Sequence, residues 1–224
     1  MATQLDLQEQ EQLDALKSFW KTYGNLITWT LILVLTAFAA WNGWNWWQRD
    51  QAMKAGAMFD ELERAAQVGD DQKVGRVFGD LKERFPRTAY AQQAGLLAAR
   101  VQADKGQADA ARASLQWVSE KALEDEYRAV ARLRLAALHF EAKRYDEALK
   151  ELDAAKVPAF AALVADRRGD VLLAQGKKDE ARVAYRAAWA ALDDTLDLKR
   201  VVEAKLTALG AAPEPAVSAA GNPQ

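Results

Sequence analysis

Between Leu26 and Trp47 the chain reads LITWTLILVLTAFAAWNGWNWW, a run without a single charged residue, and beyond it apolar residues recur at helical spacing among charged ones. At ~1.5 Å per residue the run reaches roughly 33 Å, enough to cross a hydrocarbon core of about 30 Å. Its ends carry residues suited to a membrane interface. Trp20 and Tyr23, with Lys17 and Lys21 placed to snorkel, mark one side, and Trp41, Trp44, Trp46 and Trp47 mark the other. The pattern predicts a transmembrane helix over residues 23–47, anchored at both ends in the lipid bilayer.

Three readings compete with that helix. A signal peptide cleaved after Ala39 would use the small-x-small site Ala37-Phe38-Ala39, yet apolar character continues past it through the Trp cluster. The preceding region is also long and acidic rather than short and basic. A core helix of a soluble domain seldom keeps so long a charge-free run, and an interfacial helix needs a polar face, which is missing. Lys17 and Lys21 before the run balance Arg49 and Lys54 after it, so charge alone leaves the orientation open.

Residues 1–22 place Leu5, Leu13 and Leu16 near helical period, which fits either an amphipathic arm or a frayed polar tail. From Gln48 onward Ala52, Ala55, Met58, Phe59 and Leu62 recur at three- and four-residue steps, predicting a helix that runs on from the membrane segment to Gly69-Asp70-Asp71. The remainder becomes legible as a repeat. Polar turns at Lys105-Gly106-Gln107, Lys143-Arg144 and Gln175-Gly176-Lys177 are each followed by a small residue on a second helix, Ala111, Ala148 and Ala181, spaced 37 and 33 residues apart. A weaker copy from Val68-Gly69-Asp70 through Phe78 and Leu81 to Pro86 precedes them. These spacings bracket the 34-residue tetratricopeptide period.

Two antiparallel helices on a tight turn approach closely only where small side chains meet. Ala111, Ala148 and Ala181 are therefore expected to face Ala99, Ala136 and Gly169, while Phe78, Leu115, Leu152 and Tyr185 fill the space toward the next repeat. Pro86 and Pro158 are expected to end second helices, and Leu196 to Leu209 to cap the array. The expected fold is all-α: one N-terminal transmembrane helix, then a tetratricopeptide-like helical-hairpin solenoid over residues 48–209. Residues 210–224, rich in Ala, Pro, Gly and Ser, are expected to be disordered.

Composition mostly excludes chemistry. The net charge of −2 is already supplied by the region before Trp47, so the repeat region is near neutral and has no electrostatic footprint for nucleic acid. Without cysteine there are no disulfides, thiolate metal sites or Cys nucleophiles. The single histidine, His139, sits where such repeats carry a packing residue, and no P-loop or other catalytic motif occurs. The acidic clusters Asp70-Asp71, Glu124-Asp125-Glu126 and Asp193-Asp194 fall at turns or helix starts, where they suit the helix dipole. The reading is of a protein that is not an enzyme and needs no cofactor or metal.

What remains is surface. The inward positions of the first helices are Leu96, Arg100, Val130, Leu133, Phe140, Leu163, Asp166, Asp170 and Leu173, mostly apolar. They form either a groove for an extended or helical apolar segment of a partner, or a core covered by the helix from Gln48 to Gln67 folding back. A row of Lys, Arg and Asn that would clamp the C-terminus of an acidic peptide is lacking.

Several segments, taken in order, carry a family resemblance. Before the membrane run stand Glu11-Gln12-Leu13-Asp14-Ala15-Leu16-Lys17 and Phe19-Trp20; after it come Gln51-Ala52, Phe59, Phe85-Pro86 and Tyr90-Ala91. Leu115-Gln116-Trp117-Val118, Arg132-Leu133-Arg134-Leu135-Ala136 and the stretch from Arg168 to Gly176 follow. In their order and spacing they resemble the YfgM family of bacterial inner-membrane proteins, ancillary subunits of the Sec translocon. The resemblance implies a cytoplasmic N-terminus, a single pass through the inner membrane and a periplasmic repeat domain. As partners it implies the Sec translocon, a parvulin-type membrane-anchored periplasmic chaperone and unfolded client proteins handed from one to the other. The dense Trp cluster and the Ala/Pro tail depart from the family pattern. An alternative role is an envelope-stress regulator whose N-terminal arm binds a cytoplasmic signalling factor.

Overall fold

A computed structural model describes residues 7–193 and 195–212. Leu5, Asp194 and the tail 213–224 lie outside the described residues. The chain divides into two compact units, Met1–Met53 and Lys54–Gln224, and its first helix, α1 (Leu7–Gln67), contributes to both. No helix break occurs at residue 22 or 47, and the segment before the apolar run is helical from Leu7.

In the first unit the apolar run is bare. Leu33, Leu35 and Phe38 are each more than 60% exposed, as befits a surface meant for lipid rather than for protein. Four of its polar side chains bond back to the helix itself. Thr28, Thr30 and Thr36 donate their hydroxyls to the carbonyls of Gly24, Leu26 and Ile32 at 2.7–2.8 Å, and the Asn42 amide donates to Phe38 at 2.9 Å. In hydrocarbon, where water offers no partner, such back-bonding makes these residues tolerable. All eight interface residues are exposed, and aromatic rings pair at both ends: Phe19 with Tyr23, centroids 5.0 Å apart, and Trp44 with Trp47 at 5.2 Å. Tyr23 and Trp41 are separated by roughly 27 Å of helix rise.

The second unit is a stack of helical hairpins. The C-terminal part of α1 pairs with α2 (Asp71–Arg84), α3 (Ala89–Asp104) with α4 (Ala108–Lys121), α5 (Asp125–Glu141) with α6 (Tyr145–Ala154), and α7 (Ala161–Ala174) with α8 (Lys178–Ala191); α9 (Asp197–Ala208) closes the stack. The helix after the membrane run is thus the first arm of the first hairpin. Its Ala55, Leu62 and Ala65 share a core with Val74, Phe78 and Leu81 of α2 and Ala91 and Ala94 of α3.

Each hairpin turns at a residue in the left-handed region: Gly69, Gly106, Lys143 and Gly176, with φ of 71°, 73°, 58° and 80°. The residue after each donates its N–H to the carbonyl five residues back, at 2.8–3.0 Å, closing a Schellman cap on the last carbonyls of the first helix. Three turns have the glycine this conformation favours. Lys143 stands in the fourth.

The core is a chain of clusters, each shared by one hairpin and the next. Ala99, Leu115, Val118 and Leu135 join α3, α4 and α5; Ala136, Ala148, Leu152 and Val171 join α5, α6 and α7; Leu172, Ala181, Tyr185, Val202 and Leu206 join α7, α8 and α9. No hairpin encloses a core of its own, so stability is built between neighbours. Phe78, Leu115, Leu152 and Tyr185 are all at most 3% exposed, and each such burial is worth about 1.5–3 kcal/mol. The ring of Tyr185, one turn beyond Ala181, occupies the space left by the missing side chain of Gly169. One detail differs from the sequence reading. Pro158 does not end α6, which stops at Ala154; it opens a short 3-10 turn, Pro158–Phe160, where its missing N–H costs nothing.

Candidate functional site

Helices α3 and α5 lie side by side on the inner face of the stack. The Gln93 amide donates to the Tyr127 hydroxyl at 2.8 Å, and Arg134 Nη1 donates to the Leu96 carbonyl at 2.9 Å. Below these contacts opens a cleft of about 370 Å³ whose floor is Ala99, Ala103, Leu115, Ala137 and Leu138. Arg100, Arg134 and Asp104 stand at its rim. The three alanines make the space; longer side chains at those positions would close it. A second, narrower cleft of about 60 Å³ is lined by Leu133 and Phe140 of α5, Leu152 of α6, and Arg167, Asp170 and Val171 of α7. Ala137 borders both clefts.

The expected groove residues therefore divide. Arg100 borders the first cleft, and Leu133, Phe140 and Asp170 meet at the second. Leu96 contributes its carbonyl to Arg134 while its side chain packs toward the core of α3 to α5. Val130 and Leu163 are half-buried and Leu173 is exposed, all three outside both clefts. Asp166 is the clear correction. It is 1% exposed and taken up by Lys205 of α9, whose Nζ lies 2.6 Å from Asp166 Oδ1 and 2.7 Å from Asp170 Oδ1. The Tyr185 hydroxyl donates to the same Asp170 oxygen at 2.8 Å, and Lys205 stands 5.2 Å from the Tyr185 ring centroid. A buried carboxylate needs a counter-charge, and the capping helix supplies it. Burial, reinforced by the Asp170 hydrogen bond and the two carboxylates, pushes the Tyr185 phenol far above its ordinary range.

The arginines of the first cleft were only half legible. Arg100 is among the inward positions read from the sequence, whereas Arg134, one turn beyond Val130, is not. Loss of surrounding water, and then the like charge of Arg100, lower the Arg134 pKa from its ordinary value. His139 is half-buried at the end of α5; desolvation, followed by Arg144 and Arg112, lowers its pKa, against the opposing pull of Glu151 and Glu147. Among the described residues no group of three metal-binding side chains occurs.

The family model described as a tetratricopeptide repeat-like domain matches residues 17–211. A relative from Neisseria gonorrhoeae named ancillary SecYEG translocon subunit is 30% identical over 207 residues, covering 91% of this chain and 98% of its own length. The chain belongs to the YfgM family. A second relative of the same name, from Escherichia coli, is 32% identical over 182 residues, 80% of this chain and 86% of its own length, and one from Haemophilus influenzae is 28% identical over 182 residues, 81% and 89% of the two chains. This member of the family keeps the all-α plan of one candidate membrane helix and a tetratricopeptide-like domain. With its exposed apolar helix near the N-terminus it is a single-pass membrane protein. The relatives' shared name is that of an accessory subunit, and no catalytic activity is indicated by it.

Proposed function

We propose that this chain is a membrane-tethered adapter at the Sec translocon. Its N-terminus lies in the cytoplasm, residues 23–47 cross the inner membrane, and the helical-hairpin domain stands in the periplasm. There the groove of α3, α5 and α7 takes a segment of a parvulin-type membrane-anchored chaperone or of an emerging secreted or outer-membrane protein. The observation that carries this reading is a family match running from residue 17 to 211, so that the tether and the array are inherited together. A groove with an apolar floor supports the binding of an apolar segment.

The test is affinity purification of the full-length chain from native membranes in mild detergent, with co-purifying proteins identified by mass spectrometry. Recovery of translocon subunits together with a periplasmic chaperone is the expected result. Recovery of neither, from membranes in which the translocon stays intact, would overturn the adapter role. Leu133→Asp, which puts a charge against Phe140 and Val171 at the narrow cleft, is expected to lose the chaperone and keep the translocon if tether and groove act separately.

A further inference from the structure

The groove carries a chemical preference that an apolar reading misses. Resting on the adapter function proposed above, we propose that the α3–α5 cleft selects partner segments in which an acidic side chain is flanked by apolar ones. Arg100 and Arg134 would grip the carboxylate while the apolar neighbours fill the alanine-floored space.

Two guanidiniums face this cleft, and the carboxylate at its rim, Asp104, reaches Arg100 only at 3.9 Å. Arg134 has no carboxylate partner among the described residues. Its Nη1 is spent on the Leu96 carbonyl, which fixes the plane of the guanidinium and leaves further N–H donors facing the cleft. A guanidinium held this way loses little side-chain entropy on binding and suits a carboxylate in two-point contact. The neighbouring positive charge adds attraction for an anion. Elsewhere on this stack Arg132 is paired across helices with Glu151 at 3.3 Å, and Arg168 with Asp153. Arg100 and Arg134 together border a cleft of about 370 Å³.

The floor decides the class of partner. Ala99, Ala103 and Leu138 offer apolar contact within reach of the two charges, which matches a polypeptide with alternating chemistry better than a phosphate headgroup. An acid within a chain fits better than a free C-terminus, since no row of Lys, Arg and Asn is present to enclose a terminal carboxylate.

The experiment titrates the full-length chain, held in nanodiscs, with three labelled peptides up to millimolar concentration. They are blocked Ala-Leu-Glu-Leu-Ala, blocked Ala-Leu-Gln-Leu-Ala, and the Gln peptide with a free C-terminal carboxylate. The Glu peptide is expected to bind at least tenfold more tightly than both others, the scale of one charge-assisted contact. That preference should vanish in Arg100→Gln and Arg134→Gln and persist in Arg186→Gln, an exposed arginine on α8. Arg100→Gln leaves the Arg134–Leu96 bond intact and so separates loss of charge from loss of fold, and Arg134→Lys should keep part of the affinity but lose two-point contact. Equal binding of Glu and Gln peptides, tighter binding of the free-carboxylate peptide, no saturable binding, or an unchanged preference in both arginine variants would overturn the assignment. None of those results bears on whether the chain co-purifies with the translocon, so the two readings fail separately.

Discussion

At the scale of single residues, the turn at Lys143 holds the most direct lever on stability. A side chain at φ 58° carries a steric penalty of about 1 kcal/mol that the glycines at 69, 106 and 176 avoid. Lys143→Gly is therefore expected to stabilise the stack by about 0.5–1 kcal/mol, seen as a higher urea midpoint by circular dichroism. The reverse logic applies at Gly169. A Cβ there would run into the Tyr185 ring, a buried group with no room to retreat, so Gly169→Ala is expected to cost about 1–3 kcal/mol. His139 gives a pH signature. Its pKa is lowered in the folded chain, so the unfolded state binds the extra proton; stability is full above about pH 6.5 and falls as pH drops toward the folded pKa. His139→Gln should flatten that acid-side loss, which urea titrations at successive pH values will show. Reversing the sign at the alkaline end, the raised Tyr185 phenol makes stability fall as pH climbs past about 10, the unfolded tyrosine value.

At the scale of elements, α9 is held by one lysine as much as by its apolar face. Val202 and Leu206 seat it against α8, but Lys205 reaches across to Asp166 and Asp170 on α7. Removing the ammonium strands a carboxylate that is 1% exposed, which costs about 3 kcal/mol. Lys205→Ala should therefore detach α9 first, and limited proteolysis will cut between α8 and α9 while α3 to α6 stay protected. Hairpin identity at this scale was readable in the sequence, because turn chemistry and small-residue spacing are local and repeat. The pairing of Lys205 with Asp166 was not, since 39 residues separate the lysine from an aspartate whose spacing placed it in the groove. The same holds for Arg134, whose partner is a backbone carbonyl with no residue type to announce it.

At the scale of the whole molecule, the tether and the array are separable predictions. Leu33 lies mid-span, and Leu33→Arg should raise the cost of insertion by about 3 kcal/mol or more, releasing protein from membranes on carbonate extraction. An adapter that works through its groove should tolerate deletion of residues 2–16, whereas a regulator acting through its N-terminal arm should lose its effect; co-purification and envelope-stress reporter assays of that deletion separate the two.

The order of apolar and polar positions was enough by itself for the membrane helix, the hairpin period and the capping helix. Each rests on local spacing, which the chain carries wherever it folds. Tertiary structure alone decided which inward residues stay open. Arg100, Leu133 and Phe140 border clefts, while Asp166, on the same nominal face, is sealed beneath α9. Periodicity places a side chain on a face of its own helix. Whether another helix then covers that face depends on contacts between segments far apart in the chain, and those appear only once the hairpins have stacked.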